Sequence, residues 1–458
     1  MNLPSPPVRA GDELRLEIAD LAFGGRGVAR TSGFVVFVKG ALPGEVARVR
    51  VRRVRPGYAE GECLEVLVSS RDRVAPPCRH FGECGGCDLQ HLSRRAQAEA
   101  KRLQVKALLQ RVAGLEDPPV RAAEPAGEET QYRFRMDFDW GTGPGGRPSL
   151  GLHHADRAAE ILPIETCLLM PEPVNQIRTL FARRAAESGF SPWDARRRKG
   201  LMRRLGIQMA RATGEILITL ETGRGDPPAL QELARAAARA FPRIVGVVRR
   251  EFDRGDRLAG VSILYGRDHL FENVEGDRFK IPAGAFFQPN ATAWAQLREV
   301  VAREMETGPG DSVLELYCGV GFFTLPLARR SRQIVALDCS REAVVAARDN
   351  AARGGVANAR FLCRDAADAL PALLEENRFD VVLVDPPRTG LPPAATLALA
   401  RAAVPRLLYV SCDPATLARD SKVLSRGGRW CLRSVVTLDL FPQTHHVECV
   451  ARLERRDN

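Results

Sequence analysis

The chain has 458 residues, too many for one ordinary core, because single cores stop growing at roughly 250–300 residues; two or three domains are expected. Apolar residues make up 45% and charged residues 27%, which excludes a wholly disordered or collagen-like chain, and the longest uncharged stretch, Ile281 to Leu297, is broken by Pro282, Gln288, Pro289 and Asn290, so no membrane-spanning helix is expected. The net charge of +11 favours a polyanionic partner such as nucleic acid. The opening MNLPSPPVRA has no basic segment followed by an apolar one, so the eleven cysteines are expected to be thiols of a reducing cytoplasm.

Residues 11 to 70 read as short strands rich in Val and Phe, punctuated by Gly24, Gly25, Gly27, Gly33, Gly40, Gly44 and Pro56-Gly57, the pattern of a small closed barrel. Within Val46 to Arg52 the alternation gives Arg48, Arg50 and Arg52 one face, and a basic strand face suits an RNA backbone. A cysteine-rich loop, PPCRHFGECGGCDLQHL, runs into a helix expected over Ser93 to Val112. From Tyr132 to about Tyr265 strand-like and helical runs mix, the grammar of an α+β domain. From about Gly308 strands (SVLELY, QIVALD, ARFLCR, DVVLVD, RLLYVS) alternate with helices such as Arg341 to Arg353. That alternation predicts a mostly parallel, Rossmann-like sheet with ligands at the carboxyl ends of its strands.

The run LELYCGVGFFT is a strand entering a glycine turn. Gly319 and Gly321 permit close approach of backbone to ligand, but Thr324 stands where a dinucleotide fingerprint has its third Gly, which points to an adenosyl rather than a pyrophosphate site. Asp338 ends the next strand, where an acid bonds ribose hydroxyls. Asp385-Pro386-Pro387-Arg388 and Ser411-Cys412-Asp413-Pro414 end the fourth and fifth strands on the same rim. A helix beginning near Ala415 would favour the Cys412 thiolate; a small buried hydrophobe is the plainer alternative. Glu448, among apolar residues in HHVECV, requires a partner or a task, a buried salt bridge or proton abstraction. Cys78, Cys84 and Cys87 fall as C-x5-C-x2-C, with Cys167 the candidate fourth ligand; four thiolates hold tetrahedral zinc or an iron-sulfur cluster.

CGVGFFTLPLA, DPPRTGL, VSCDPATLARD, HHVEC and FFQPN together resemble the RNA uracil-5-methyltransferases, and the barrel and cysteine loop resemble the TRAM domain and iron-sulfur segment of the branch acting on 23S rRNA. The tRNA branch resembles this chain in its catalytic parts alone. The resemblance implies an OB-like TRAM barrel over residues 1–70, an α+β middle domain with an iron-sulfur loop over 71–290, and an α/β class I methyltransferase domain over 291–458, the helix at 93–112 packing on the last. It further implies S-adenosylmethionine and a four-iron four-sulfur cluster on Cys78, Cys84, Cys87 and Cys167 as cofactors, Cys412 as nucleophile and Glu448 as base. Gln288, Tyr317, Gly319, Gly321, Phe322, Asp338, Asp365 and Asp385 are then the cofactor-site residues, with Gln288 and Asp385 also facing the uracil. A cytoplasmic monomer acting on RNA, most simply 23S rRNA, is expected. The alternatives are a cytosine-5 or tRNA methyltransferase, or an inactive RNA-binding factor of ribosome assembly.

Overall fold

The computed structural model describes residues 6–456 apart from 124, 126, 144–147, 226 and 227. The expected ends of the first and last domains, residues 1–5 and 457–458, lie outside the described residues.

Five strands, β1 (Glu13–Leu21), β2 (Gly27–Thr31), β3 (Phe34–Lys39), β4 (Val46–Val54) and β5 (Tyr58–Val68), close into a barrel in the order β1-β2-β3-β5-β4. Alternation turns Ala47, Val49 and Val51 of β4 inward with Val36 and Val38 of β3, all buried. Arg48, Arg50 and Arg52 face out, yet they do not form a free basic face. Glu13 of β1 pairs with Arg48 at 3.1 Å and Arg50 at 2.8 Å, Glu65 of β5 pairs with Arg48 at 2.9 Å, and Glu62 pairs with Arg52. The acids arrive from neighbouring strands, a cross-strand pairing that the pattern of β4 alone does not contain.

Helix α1 (Arg94–Leu108) continues into a π-helical turn, Leu109–Ala113, that Gly114 ends with φ 75°. Its apolar side buries Val105 and Leu109 against the C-terminal domain. The short strand β6 (Val120–Ala122) then joins that domain's sheet at its edge. The middle sheet follows: β7 (Arg135–Thr142), β8 (Pro148–His153), β9 (Ile161–Pro163), helix α2 (Glu172–Glu187), β10 (Met202–Met209), β11 (Ile216–Thr222), helix α3 (Pro228–Ala240), β12 (Ile244–Phe252) and β13 (Leu258–Gly266), in the order β13-β12-β11-β10-β7-β8-β9. Phe138, Ile177, Phe181, Leu205, Ile218 and Ala234 form its core with both helices. The hairpin β14 (His269–Val274) and β15 (Asp277–Pro282) turns the other way, and its Leu270, Phe279 and Ile281 pack with Val313 and Val320 of the C-terminal domain. The expected 71–290 unit is therefore interrupted: residues 120–122 join the C-terminal sheet, and residues 94–113 and 269–290 pack on the C-terminal domain, the hairpin also meeting Leu217 and Val248 of the middle sheet.

That domain runs α4 (Trp294–Met305), β16 (Ser312–Leu316), α5 (Thr324–Ala328), β17 (Gln333–Asp338), α6 (Arg341–Arg353), β18 (Ala359–Cys363), α7 (Ala366–Glu376), β19 (Val381–Val384), α8 (Pro393–Arg401), β20 (Arg406–Ser411), α9 (Pro414–Ser425), β21 (Trp430–Leu438) and β22 (Glu448–Arg455). The sheet order is β18-β17-β16-β19-β20-β22-β21-β6. Strands β16 to β20 are parallel, and β22 inserts antiparallel between β20 and β21. The order reverses at β16, between β17 and β19, where a crevice opens at the carboxyl ends.

The loop from Asp439 to Val447 ties the other parts to this rim. Buried Lys101 of α1 pairs with buried Asp439 at 2.5 Å. The Tyr132 hydroxyl donates to the Pro442 carbonyl at 3.0 Å, the Asp88 and Leu89 amides to the Gln443 carbonyl at 2.9 Å each, and the Asn290 amide to the Leu440 carbonyl at 2.9 Å.

Candidate active site

The glycine turn opens directly above β16. Tyr317 has φ 65°, Gly319 φ 53° and Gly321 φ 90°, three left-handed residues within five positions that bend the chain out of the sheet. Asp338, at the end of β17, accepts from the Gly319 amide at 3.0 Å and from the Ser340 amide at 2.8 Å, so one carboxylate holds both the turn and the start of α6. A Cβ on Gly319 would meet nothing within 4 Å; the space above it is open crevice. Asp365 caps α7 by accepting the Ala367 amide at 2.8 Å. It lies near enough to Tyr317 that its charge, after burial, helps push the phenol up to about 12. Tyr317, Gly319, Gly321, Asp338 and Asp365 thus share one rim.

Phe322 does not line that rim. Its ring is buried against Phe287 at 5.4 Å and Phe323 at 4.9 Å, with the Arg298 guanidinium over it at 4.7 Å, and its carbonyl accepts from Arg298. A place beside the glycine turn does not decide where a ring points, and an apolar core claimed this one. The sequence reading also missed Glu315. Fully buried beneath the turn, it accepts from the Thr324 hydroxyl at 2.6 Å, and burial, with the charges of Asp385 and Asp338 adding to it, raises its carboxyl to about 8. The signal was present: a lone acid in the apolar strand SVLEL, the same anomaly that singled out Glu448.

Cys412 and Glu448 meet through strand register. Ser411 pairs with Cys449 across β20 and β22; one residue beyond each, Cys412 and Glu448 stand opposite one another. Asp385, at the end of β19, joins them, and the Gln288 amide donates to its carboxylate at 3.0 Å. Gln288 is itself fixed by its carbonyl, which accepts from the Trp294 indole at 2.9 Å. Burial raises the Glu448 carboxyl well above its usual range, with Asp385 adding and exposed Arg388 opposing, and burial takes Asp385 to about 7 against the Gln288 hydrogen bond. Arg388, a second residue absent from the expected set, is the cation at this acidic centre.

The Cys412 thiol is pushed up to about 12, first by burial and then by Glu448 and Asp385. This reverses the expectation of a thiolate favoured by a helix N-terminus. The Asp413 carboxylate takes the first amides of α9, those of Ala415 at 2.9 Å and Thr416 at 3.0 Å, so the helix donors face a carboxylate instead of sulfur. Cys318 and Cys449 are more deeply buried than half-buried Cys412. In the free protein the nucleophile candidate is therefore a thiol, held beside two carboxyls that can exchange its proton.

The four other singled-out cysteines line one cavity of about 510 Å³, with Phe81, Phe287 and Pro289 also in its wall. Burial raises Cys87 to about 12 and Cys167 to about 11, and in both the neighbouring cysteines add to the rise. Among the described residues no three His, Cys, Asp or Glu side chains are grouped tightly enough to hold a single metal ion. The four thiols share one cavity, and thiolate donors of that kind are what zinc or an iron-sulfur cluster takes. Phe287 and Pro289 face this cavity while Gln288 between them reaches Asp385, so one short segment separates the thiol cavity from the acidic centre.

A parallel sheet that gathers an acid, an open glycine turn and a thiol beside a buried carboxyl on one rim has the layout of an α/β domain that takes a nucleoside-bearing cofactor at its switch point. The tRNA (uracil-5-)-methyltransferase family matches residues 256–456, and the TRAM domain matches residues 7–64. An uncharacterized RNA methyltransferase of Gloeobacter violaceus is 35% identical over 97% of both chains, and one of Halalkalibacterium halodurans 31% identical over the whole of both. The chain belongs to the RNA uracil-5-methyltransferase family, in its TRAM-containing form. Among solved structures it is similar to the Pyrococcus abyssi tRNA (uracil-54, C5)-methyltransferase in complex with S-adenosyl-L-homocysteine, with a TM-score of 0.75 and 26% identity, covering 96% of this chain and 99% of that one. A tRNA enzyme thus matches well beyond the catalytic parts, which removes the architectural ground for setting the tRNA branch apart.

Proposed function

We propose that this enzyme methylates C5 of a uridine in RNA through a covalent adduct on Cys412. The observation that carries the reading is the register of β20 and β22, which sets Cys412 opposite Glu448. Uracil C5 is a poor nucleophile, and attack of a thiolate at C6 turns it into one. As the Cys412 sulfur bonds to C6, its proton passes to a neighbouring carboxylate and the ring electrons move onto O4. C5 then takes the methyl group, the donor leaving as its demethylated thioether, the Glu448 carboxylate removes the C5 proton, and the C6–sulfur bond breaks as those electrons restore the ring double bond and the Cys412 sulfur takes its proton back. Asp385, oriented by Gln288, positions the uracil, and Arg388 offsets the charge that builds up beside it. The target base leaves its stack to reach this crevice.

S-adenosylmethionine supplies the electrophilic methyl group when bound. Gly319 gives it room, Gly321 supplies the left-handed bend of the turn, Asp338 would bond its ribose, Tyr317 and Asp365 border the adenosyl moiety, and Gln288 and Asp385 border the methyl end. Cys78, Cys84, Cys87 and Cys167 would hold a four-iron four-sulfur cluster that ties the cysteine loop to the middle domain. We assign the enzyme to the cytoplasm as a monomer and read 23S rRNA as its substrate from the cysteine loop; the solved tRNA enzyme favours tRNA as the second reading. Nucleoside mapping of rRNA and tRNA from a deletion strain against its parent tests this. A 5-methyluridine missing from 23S rRNA is the expected result, one missing from tRNA alone selects the second reading, and methyl loss from cytidine rejects both.

A further inference from the structure

The middle domain carries a cationic cleft that the catalytic chemistry does not use. Three loops meet at one end of its sheet: Pro192 to Gly200 before β10, Gly223 to Gly225 after β11, and Asp253 to Arg257 between β12 and β13. They enclose a cavity of about 650 Å³ lined by Trp193, Arg198, Lys199, Arg224, Phe252 and Arg254. The four cations are exposed, and among the described residues no carboxylate is ion-paired with any of them. Asp253, the one acid in the lining, is engaged by the Gly255 amide at 2.8 Å and the Arg257 amide at 3.0 Å. Between the aromatic walls lies Arg203, 3.6 Å from the Trp193 ring and 5.6 Å from that of Phe252, its charge answered by Asp256.

The contrast with the barrel is direct. There Arg48, Arg50 and Arg52 each meet a glutamate; here four exposed cations stand beside the half-buried rings of Trp193 and Phe252, one face of Trp193 being stacked by Arg203. Cations for phosphates together with aromatic faces for bases are what single-stranded RNA requires. The opposite end of the same sheet, where β10 finishes at Met209, adjoins the catalytic segment: the Met209 amide donates to the Phe134 carbonyl, and the Phe134 amide to the Pro289 carbonyl. Seven residue steps along β10 separate the two ends, about 23 Å at roughly 3.3 Å per residue.

We infer that this cleft is an RNA-docking site which grips the substrate strand away from the target uridine; the inference rests on RNA as the substrate. The probe is a fluorescent 12-nucleotide polyuridine RNA titrated at several salt concentrations. Arg198→Gln, Lys199→Gln, Arg224→Gln and Arg254→Gln together should weaken binding at least tenfold at low salt and reduce the slope of log K against log salt by up to about 2.8, at about 0.7 per lost phosphate contact. Trp193→Ala should weaken binding about tenfold with the slope retained. The charge-keeping set Arg198→Lys, Arg224→Lys and Arg254→Lys should keep the wild-type slope, which separates lost charge from lost fold. Unchanged affinity and slope in the glutamine variant overturn the proposal. The titration needs no methyl transfer, so salt-dependent binding through the cleft with no label reaching uridine would uphold the cleft and reject the catalytic reading.

Discussion

Two groups of thiols, most of them half-buried, lie on either side of the segment from Phe286 to Asn290, and burial raises members of both. Cys87 reaches about 12 with other cysteines as its charged neighbours, whereas Cys412 reaches about 12 with Glu448 and Asp385 as its neighbours. On the proposed reading, equal reluctance to ionise has opposite uses. Thiols that face one another in an apolar cavity ionise when a metal takes their protons' place, and the bond is lasting. A thiol that faces carboxyls can hand its proton to them for the length of one reaction and take it back. On that reading, what surrounds a cysteine, more than how deeply it is buried, separates a ligand from a nucleophile.

The largest effect expected from breaking this contrast is at the reacting sulfur. Cys412→Ala should lower methyl transfer by about 10⁴-fold or more, the scale seen when a nucleophile is removed, while calorimetry still detects binding of S-adenosylmethionine. No covalent RNA band should form; a band in this variant would move the role to another cysteine. Glu448→Gln keeps the nucleophile and removes the base, so addition and methylation proceed while elimination stalls. The expected product is a shifted band on a denaturing gel, carrying label from methyl-labelled cofactor. Normal turnover with no trapped adduct would assign the C5 proton to a different base.

How far the sequence could go follows from the same residues. Helix Arg341–Arg353 and the alternation of β16 to β20 are local patterns, and they were legible. Cys412 and Glu448 stood out singly, but that they face each other depends on β22 inserting antiparallel beside β20, a pairing between segments whose register no local period encodes. The same limit explains the barrel: the outward face of β4 was readable, the acids from β1 and β5 that neutralise it were not. Phe322 was misplaced because its position in the chain is beside the turn while its ring belongs to the core. Glu315 is open to the same reasoning that finds Glu448, a lone acid in an apolar strand, whereas Arg388 is legible only as part of DPPR and its place beside the two carboxyls depends on the fold.

On the other side of the segment the expected effects concern colour and cohesion more than chemistry. Anaerobically purified protein should be brown with iron and sulfide near four each per chain. Cys87→Ala should bleach it and lower the melting temperature, since Cys87 shares its cavity with Cys167 of the middle domain. Stoichiometric zinc in a colourless protein handled without air would sink the cluster assignment and leave the thiol cavity a different job.

The smallest expected effect is also the most direct reading of neighbours against burial. With its thiol near 12 rather than the usual 9, Cys412 holds about 10³-fold less thiolate at pH 8 than an ordinary cysteine, each unit counting tenfold. Peptide mapping after iodoacetamide should therefore find it alkylated far more slowly than exposed Cys363, with a rate still climbing above pH 9. The sign of each neighbour follows. Asp385, with a carboxyl near 7, is mostly ionised at pH 8, so Asp385→Asn removes a negative charge, lowers the thiol's pKa and should speed alkylation several-fold. Arg388→Ala removes the opposing cation and should slow it. If Asp385→Asn leaves the rate unchanged, burial alone holds the proton on sulfur and the carboxyls are not its partners. If wild-type Cys412 outpaces Cys363 at pH 7, the amides of α9 reach the sulfur after all, and the two groups of thiols differ in kind before any substrate arrives.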